Sequence, residues 1–266
     1  MIGELDNDRW DRAMRVYRKE SVVFWQRFAR PPVFDGQSVL EVGCGLGGLC
    51  VDIANRGAET VLGIDIRQDD IEFARRFRDR ELPTPSDHIR FSCEPLSRYH
   101  ETQFDYVVSK DSFEHIIDVD GMLAEIRRVL KPGGWVYIGF SPLYHSPYGD
   151  HDRRRTAFAN LGVAGKLLAA LPWGHLLMEK QILRRHSKMR REPVTSMHDL
   201  NLNKLKVGEF RKKIQAAGLA AESFLVNQGN NKVGKVLSAL RALPGLEDYC
   251  TYNVYCILRH AGEITE

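Results

Sequence analysis

The sequence predicts an α/β fold of the doubly wound type, in which helices cover both faces of a mostly parallel sheet. First, an apolar run at residues 39–42 leads through a glycine-rich turn into an apolar pattern of helical spacing. Second, another strand pattern ends at Asp65. Third, a Pro-Gly-Gly turn at residues 132–134 separates a helical stripe from a further strand pattern. Strands that alternate with helices in this way are typical of parallel sheets.

The glycine-rich turn carries Gly43, Gly45 and Gly48, which match the G-x-G-x-x-G fingerprint of dinucleotide-binding loops. Glycines allow backbone N–H groups to approach a ligand, and the start of the following helix favours an anionic group. Glu41, however, would repel a pyrophosphate and suits a ligand with an ammonium group. S-adenosylmethionine carries both an ammonium and a carboxylate, and its ribose needs an acid such as Asp65. We therefore favour this cofactor over a nicotinamide dinucleotide.

The same segment, residues 41–47, resembles the first motif of the class I S-adenosylmethionine-dependent methyltransferases, an acid followed by G-x-G-x-G. Three more blocks follow in the order of that family. Residues 61–65 resemble its second strand, residues 104–109 its fourth, and residues 130–138 its Pro-Gly-Gly turn and fifth strand. The resemblance spans residues 36–141. It implies a Rossmann-like, seven-stranded sheet, mostly parallel with one antiparallel strand, and leaves the substrate open.

The resemblance also implies cofactor contacts along the carboxyl ends of the first four strands. The chain departs from the family after the third strand, where an aspartate often holds the adenine amino group and this sequence offers Cys93 and Glu94. The residues expected at the cofactor are Glu41, Gly43, Cys44, Gly45, Gly47, Asp65, Ile66, Cys93, Glu94, Ser109 and Lys110.

The chain divides into four predicted parts. Residues 1–35 form a helical segment, which either packs over the sheet edge or acts as a lid. Residues 36–141 form the S-adenosylmethionine-binding core. Residues 142–206 fit no unit of the sheet and are expected to form a helical cap on the substrate side. Residues 207–266 complete the core sheet with an antiparallel strand pair and carry a helical insertion near residues 231–247.

Acidic and histidine residues follow the fourth and fifth strands, whose carboxyl ends are neighbours in this fold. Asp111, Glu114 and His115 would share one face of a helical turn, and His145 and His151 lie in the next loop. Carboxylates and imidazoles together suit a divalent metal, with Mg, Mn, Fe and Zn all open. The run also resembles that of metal-dependent small-RNA and ubiquinone-type O-methyltransferases.

Other roles for these side chains stay open from the sequence. A histidine here could act as a general base or orient the substrate, and Asp111 could cap a short helix. Methyltransferases of this class also carry Glu-His after the fourth strand without a metal. The catalytic candidates are His115, His151 and His145, and the candidate metal ligands are Asp111, Glu114, His115 and His151.

Methyl transfer from a sulfonium is a direct displacement, so the protein mainly aligns the nucleophile and excludes water. An alcohol or phenol must also lose a proton, a demand that the histidine- and acid-rich rim meets. We therefore expect O-methylation of a small molecule, anionic or diol-bearing. Methylation at nitrogen or carbon, or of RNA, remains an alternative. A nicotinamide-dependent oxidoreductase and a non-catalytic methyltransferase-like scaffold remain alternatives of other classes.

Composition and charge exclude few functions. A hydrophobic fraction of 43% is typical of a globular protein, and the net charge of +3 does not decide for or against nucleic acid. Basic runs at residues 153–155 and 184–191 are either solvated helix faces or attract an anion, and RNA ranks second because aromatic interleaving is absent. No membrane span or signal peptide is evident, and five cysteines lack disulfide-framework spacing, so we expect a cytoplasmic protein.

Overall fold

The structure, a computed structural model, describes residues 2–82, 87–100, 103–229 and 232–260. Its centre is one seven-stranded sheet. The strands are β1 (Ser38–Val42), β2 (Thr60–Ile64), β3 (Ile89–Ser92), β4 (Phe104–Lys110), β5 (Leu130–Phe140), β6 (Leu219–Val226) and β7 (Val254–His260). Their order is β3-β2-β1-β4-β5-β7-β6, and β7 is antiparallel to both of its neighbours. The predicted sheet, with one antiparallel strand, is confirmed.

Helices cover both faces of this sheet. They are α1 (Ile2–Arg15), α2 (Ser21–Gln26), α3 (Gly48–Asn55), α4 (Gln68–Glu81), α5 (Val119–Val129), α6 (Arg153–Ala157), α7 (Gly162–Ala170), α8 (Gly174–Arg190), α9 (Val207–Ala216) and α10 (Lys232–Leu240). On one face, α1 to α4 enclose a buried cluster around Leu49 and Phe77. On the other, α5 and α9 enclose a cluster around Leu123 and Phe210. Burial of both faces explains why the parallel strands are almost continuously apolar.

The N-terminal segment lies directly on the helix that follows the glycine-rich turn. A Cβ added to Gly48 would come within 2.5 Å of the Ala13 carbonyl oxygen, so α1 approaches the start of α3 closely. A π-helical turn at Val16–Glu20 connects α1 to α2. Trp25 of α2 donates its indole N–H to Asp52 of α3 at 2.7 Å. The helical segment thus packs on the core beside the carboxyl edge of the sheet.

The cap predicted for residues 142–206 contains α6, α7 and α8 around a third buried cluster, which includes Phe158 and Ile182. Arg154 of α6 is only 1% exposed and ties these helices together. Its guanidinium donates to the carbonyl oxygens of Leu171 at 2.6 Å and Ala169 at 2.9 Å. These two hydrogen bonds cap the carboxyl end of α7. This bonding satisfies backbone groups that a helix end leaves unpaired.

The insertion predicted near residues 231–247 contains α10, which is shorter than expected; residue 231 lies outside the described residues, as do residues 261–266 of the last predicted part. Where the structure describes the chain, none of its helices combines the length and apolarity that a membrane crossing requires.

Candidate functional site

The glycine-rich turn at the end of β1 depends on left-handed backbone at Gly43, Gly45 and Gly47, with φ of 78°, 49° and 81°. The Gly43 N–H donates to the Ile64 carbonyl at 2.9 Å, which holds the turn against β2. A Cβ at Gly43 would lie 2.0 Å from Ser112 Oγ, whereas one at Gly45 would meet nothing within 4 Å. The turn therefore has no room for a side chain at Gly43, whereas the space above Gly45 is open.

Asp65 follows β2 directly and lies beside this opening. Its Oδ2 accepts from the Gly45 N–H at 2.9 Å, and its Oδ1 accepts from the Arg67 N–H at 3.0 Å. The carboxylate is thus held in place by backbone while each oxygen keeps a free lone pair. Ile66, the next residue, is 91% exposed and presents an apolar surface next to it.

Glu41 is buried in β1, under the glycine-rich turn. Its Oε2 accepts a hydrogen bond from Cys50 Sγ at 2.9 Å. Burial raises the pKa of Glu41 to about 8, although the Cys50 hydrogen bond and the charge of Lys110 oppose the rise. A buried carboxyl of this kind gains most when a cationic group comes near it.

The end of β4 connects the sheet to the N-terminal segment. Ser109 Oγ donates to the Val42 carbonyl at 3.0 Å. Lys110 Nζ lies 2.7 Å from Asp111 Oδ2 and 3.3 Å from Glu20 Oε2. Burial alone would lower the pKa of Lys110, but the two carboxylates outweigh burial and raise it.

The remaining predicted cofactor residues differ in exposure. Cys44 is buried in the glycine-rich turn, where its N–H donates to the Ile64 carbonyl at 3.0 Å and burial raises the pKa of its thiol. Cys93 is half-buried after β3. Glu94 is exposed, with its carboxylate 3.6 Å from the Arg98 guanidinium. Cys93 is thus better placed than Glu94 to form the wall of a pocket.

A cavity of about 410 Å³ lies between the N-terminal helices and the end of β4. Its charged lining residues are Arg15, Lys19, Glu20, Arg27, Lys110 and Asp111. Both acids already pair with Lys110, which leaves an excess of positive charge. The Nη1 of Arg27 donates to the Tyr255 hydroxyl at 2.5 Å, while its buried Nε finds no hydrogen-bond partner in the part of the chain that the structure describes. The cavity therefore suits an anionic group.

A second polar cluster, which we call the EHH cluster, consists of Glu114, His115 and His151. One potential ligand atom of each residue lies within 4.8 Å of those of the other two. The two imidazole centroids are 5.0 Å apart. Glu114 and His115 lie in a 3₁₀ turn after β4, and His151 lies in the loop after β5. Neighbouring strands thus bring residues that are distant in sequence to one point.

Backbone carbonyls orient both imidazoles of the EHH cluster. His115 Nδ1 lies 2.7 Å from the Asn201 carbonyl oxygen, and His151 Nε2 lies 2.8 Å from that of Pro142. Since a carbonyl only accepts, these nitrogens carry protons, and His115 Nε2 and His151 Nδ1 are the ring atoms left to face a ligand. Burial lowers the pKa of His151 to about 4, so its ring is neutral at pH 7. Metal-bound histidines are commonly held by such outer hydrogen bonds.

Glu114 completes the cluster with an unsatisfied carboxyl oxygen. The side chain is 4% exposed, and its buried Oε2 has no hydrogen-bond partner among the described residues. Burial, together with the nearby charge of Asp111, raises the pKa of Glu114 well above its usual range. An acceptor left unpaired in the interior is costly, and a bound cation would satisfy it. The donor set therefore fits a divalent metal.

The structure does not bring Asp111 and His145 into the EHH cluster. Asp111 has a φ of 50°, so the chain turns there and no continuous helical face joins it to Glu114. Its carboxylate faces the basic cavity and binds Lys110 instead. The His145 ring packs against Tyr144 and Tyr249, with centroids 5.4 and 5.9 Å apart. Of the four predicted metal ligands, the structure brings Glu114, His115 and His151 together and leaves Asp111 apart from them.

Sequence reasoning missed the segment that supports the cluster. Asn203 Nδ2 donates to the carbonyl oxygens of Phe113 and Ile116 at 2.6 and 2.7 Å. Its backbone N–H donates to the Glu114 carbonyl at 3.0 Å, and the Asn201 carbonyl accepts a hydrogen bond from His115 Nδ1. Residues 201–203, near the end of the cap, thus fix the 3₁₀ turn that carries two members of the cluster.

The central region of the chain is similar to a known protein family. Residues 40–138 match a family model described as a methyltransferase domain. The ubiquinone biosynthesis O-methyltransferase of Acinetobacter baylyi is 32% identical over 139 residues, which cover 52% of this chain and 54% of the relative. That of Thiobacillus denitrificans is 37% identical over 103 residues, 39% of this chain and 44% of the relative. The chain thus spans about half the length of the curated relatives it matches.

Solved structures share the fold at low identity. An S-adenosylmethionine dependent methyltransferase from Mesorhizobium loti has a TM-score of 0.55 and 16% identity, covering 90% of this chain and 97% of its own. A second match is geranyl diphosphate C-methyltransferase from Streptomyces coelicolor, solved with Mg²⁺, geranyl diphosphate and S-adenosyl-L-homocysteine. It has a TM-score of 0.56 and 13% identity, and the match covers 92% of this chain and 80% of the solved chain. These matches agree with the predicted Rossmann-like architecture.

Proposed function

We propose that this chain, whose residues 40–138 belong to the methyltransferase domain family, transfers the methyl group of S-adenosylmethionine to a hydroxyl of a small molecule. The observation that carries the proposal is the position of two sites at one edge of the sheet. The glycine-rich turn with Asp65 suits the cofactor, and the EHH cluster suits an acceptor oxygen. The names of the curated relatives support oxygen rather than nitrogen or carbon as the acceptor atom.

On the cofactor side, we assign Asp65 to the two ribose hydroxyls, because its carboxylate lies fixed beside the open space above Gly45. Glu41 favours the ammonium group from below the turn, and the basic cavity with Arg27 favours a carboxylate. The other residues assigned to this site are Gly43, Cys44, Gly47, Ile66, Cys93, Glu94, Ser109 and Lys110.

On the acceptor side, Glu114, His115 and His151 would hold a divalent cation through one carboxylate and two imidazole nitrogens. A cation bound there would acidify a coordinated hydroxyl. Two imidazoles and one carboxylate favour Mn, Fe or Zn over Mg, which prefers oxygen ligands. The fixed ring orientations support this ligand role over a role of His151 as general base.

The function is tested by incubating the protein with methyl-tritiated S-adenosylmethionine and matched catechols, monophenols and anilines, with and without added cation. We expect label on a catechol oxygen, and transfer that depends on the cation. Isothermal titration with S-adenosylhomocysteine and NADH provides the second readout. Binding of NADH without S-adenosylhomocysteine would contradict the proposal in favour of an oxidoreductase, and cofactor binding without transfer to any acceptor would favour a scaffold.

We expect Asp65→Ala to weaken S-adenosylhomocysteine binding by about 2–3 kcal/mol, because the change removes charge-assisted hydrogen bonds to the ribose. Asp69→Ala, an exposed acid in the first turn of α4, is the matched control and should bind normally. Isothermal titration measures both variants. Equal affinity in the two would remove Asp65 from the site.

We expect His151→Asn to weaken the binding of Mn²⁺ or Zn²⁺ by roughly tenfold or more, since one ligand is lost from a small set. His145→Asn is the control, because the structure places this second loop histidine against Tyr144 and Tyr249. Cation titration of the protein without cofactor gives a readout that is independent of activity. A His151→Asn protein with the affinity of the His145→Asn control would show that the cluster does not bind the cation.

A further inference from the structure

The turn between α7 and α8 forms an apolar tip on the cap. Leu167, Leu171 and Leu177 are 69%, 48% and 82% exposed. Val163, 74% exposed, extends the row along α7 at the four-residue spacing that puts side chains on one helix face. Large apolar side chains concentrated on one exposed hairpin mark an interaction surface more often than scattered ones do.

The surroundings of this tip are basic. Residues 153–191 contain ten Lys and Arg residues and one acid, Glu179. Glu179 is not available to a partner, because it accepts from Tyr144 Oη at 2.7 Å and pairs with Lys204. Lys166, Lys180 and Arg184, by contrast, are exposed on either side of the tip. Within residues 153–191 the apolar tip thus has a basic collar, and the one acid of that stretch is already paired.

Aromatic side chains lie at the same end of the cap. Trp173, in the turn itself, donates its indole N–H to the Tyr249 carbonyl at 3.0 Å. The Tyr148 hydroxyl donates to the Ala170 carbonyl at 3.3 Å, and both tyrosines are more than 40% exposed. Such amphipathic rings are enriched at the level of lipid headgroups. The hydrogen bonds from Arg154 to the end of α7 make the tip a rigid element.

We propose that the α7–α8 tip docks on an anionic membrane surface. The leucines enter the boundary between headgroups and acyl chains, and the collar of Lys166, Lys180 and Arg184 contacts anionic headgroups. The proposal requires no spanning helix, because the hairpin lies on the bilayer surface. A lipid surface matches the pattern better than a protein partner does, because it supplies an apolar layer edged by a uniform negative charge. The docking does not depend on the proposed methyl transfer.

The test is co-sedimentation of the full chain with vesicles of phosphatidylcholine alone or of phosphatidylcholine and phosphatidylglycerol at three to one. We expect binding to the anionic vesicles that falls with added salt, and an affinity at least about tenfold lower in the double variant Leu167→Glu/Leu177→Glu. Val33→Glu is the matched control, since Val33 is 70% exposed before the amino end of β1. Circular dichroism confirms that each variant is folded.

Charge is tested separately with Lys180→Gln/Arg184→Gln, which should lose about tenfold or more in affinity for the anionic vesicles and little for the neutral ones. Anionic vesicles that bind no better than neutral ones at low salt would overturn the proposal. So would equal binding by the double leucine variant and Val33→Glu. If the chain instead self-associates in light scattering, without vesicle binding and with loss in the leucine variant, the tip is a protein interface and the membrane proposal is wrong.

Discussion

Glu114→Gln should lose methyl transfer by roughly 100-fold or more in kcat while its affinity for S-adenosylhomocysteine stays nearly constant. The substitution keeps the volume and one oxygen of the side chain but removes the negative charge. In the proposed reaction, the negative charge of Glu114 would help to hold a divalent cation, and that cation would lower the pKa of the acceptor hydroxyl. Glu114 belongs to the 3₁₀ turn after β4 and not to the glycine-rich turn, so cofactor binding should be spared.

Single-turnover assays at saturating cofactor, combined with S-adenosylhomocysteine titration, separate these two effects. His115→Asn should behave like Glu114→Gln, and His145→Asn should retain most of its activity. Thermal unfolding of each variant excludes a loss through misfolding. A Glu114→Gln enzyme that keeps more than about a third of its kcat would place the acceptor chemistry away from the EHH cluster.

The elements of the sheet were predictable because their signals are local. The apolar run before Gly43 and the run ending at Asp65 each predict a buried strand. In the structure these two strands, β1 and β2, pair in parallel. The meeting of His115 and His151 was also predictable, because each follows one of two strands that the fold makes neighbours. The order of the strands was thus enough to predict that these two histidines lie close together.

Loop conformation and cap packing were not predictable in this way. Asp111 is turned away by a left-handed backbone, which is uncommon for a non-glycine residue and which no local pattern in the sequence specifies at this position. His145 packs with Tyr249, a residue over a hundred positions later in the chain. Asn201 and Asn203 support the cluster through backbone contacts for which their sequence context gives no signal.

Glu41→Gln should have opposite effects on stability and on cofactor affinity. In the folded protein burial raises the pKa of Glu41 to about 8 from the ordinary 4.5. Between those values the folded state keeps a proton that the unfolded state releases, so rising pH costs stability at about 1.4 kcal/mol for each unit of difference. Above pH 8 the full cost, up to about 5 kcal/mol, is present. Gln carries no titratable proton and avoids it.

We therefore expect the Tm of Glu41→Gln to exceed that of the wild type by a margin that grows from pH 5 to pH 8 and then levels off. The same variant should bind S-adenosylhomocysteine more weakly, by on the order of 1–3 kcal/mol, because the ligand ammonium loses its anionic partner. Thermal unfolding from pH 5 to 9, with and without the ligand, measures both effects, and Glu59→Gln, an exposed acid just before the amino end of β2, is the control. A Tm difference independent of pH would contradict the raised pKa. Unchanged ligand affinity would separate Glu41 from the ammonium, since a buried carboxyl that only packs under the turn would affect stability alone.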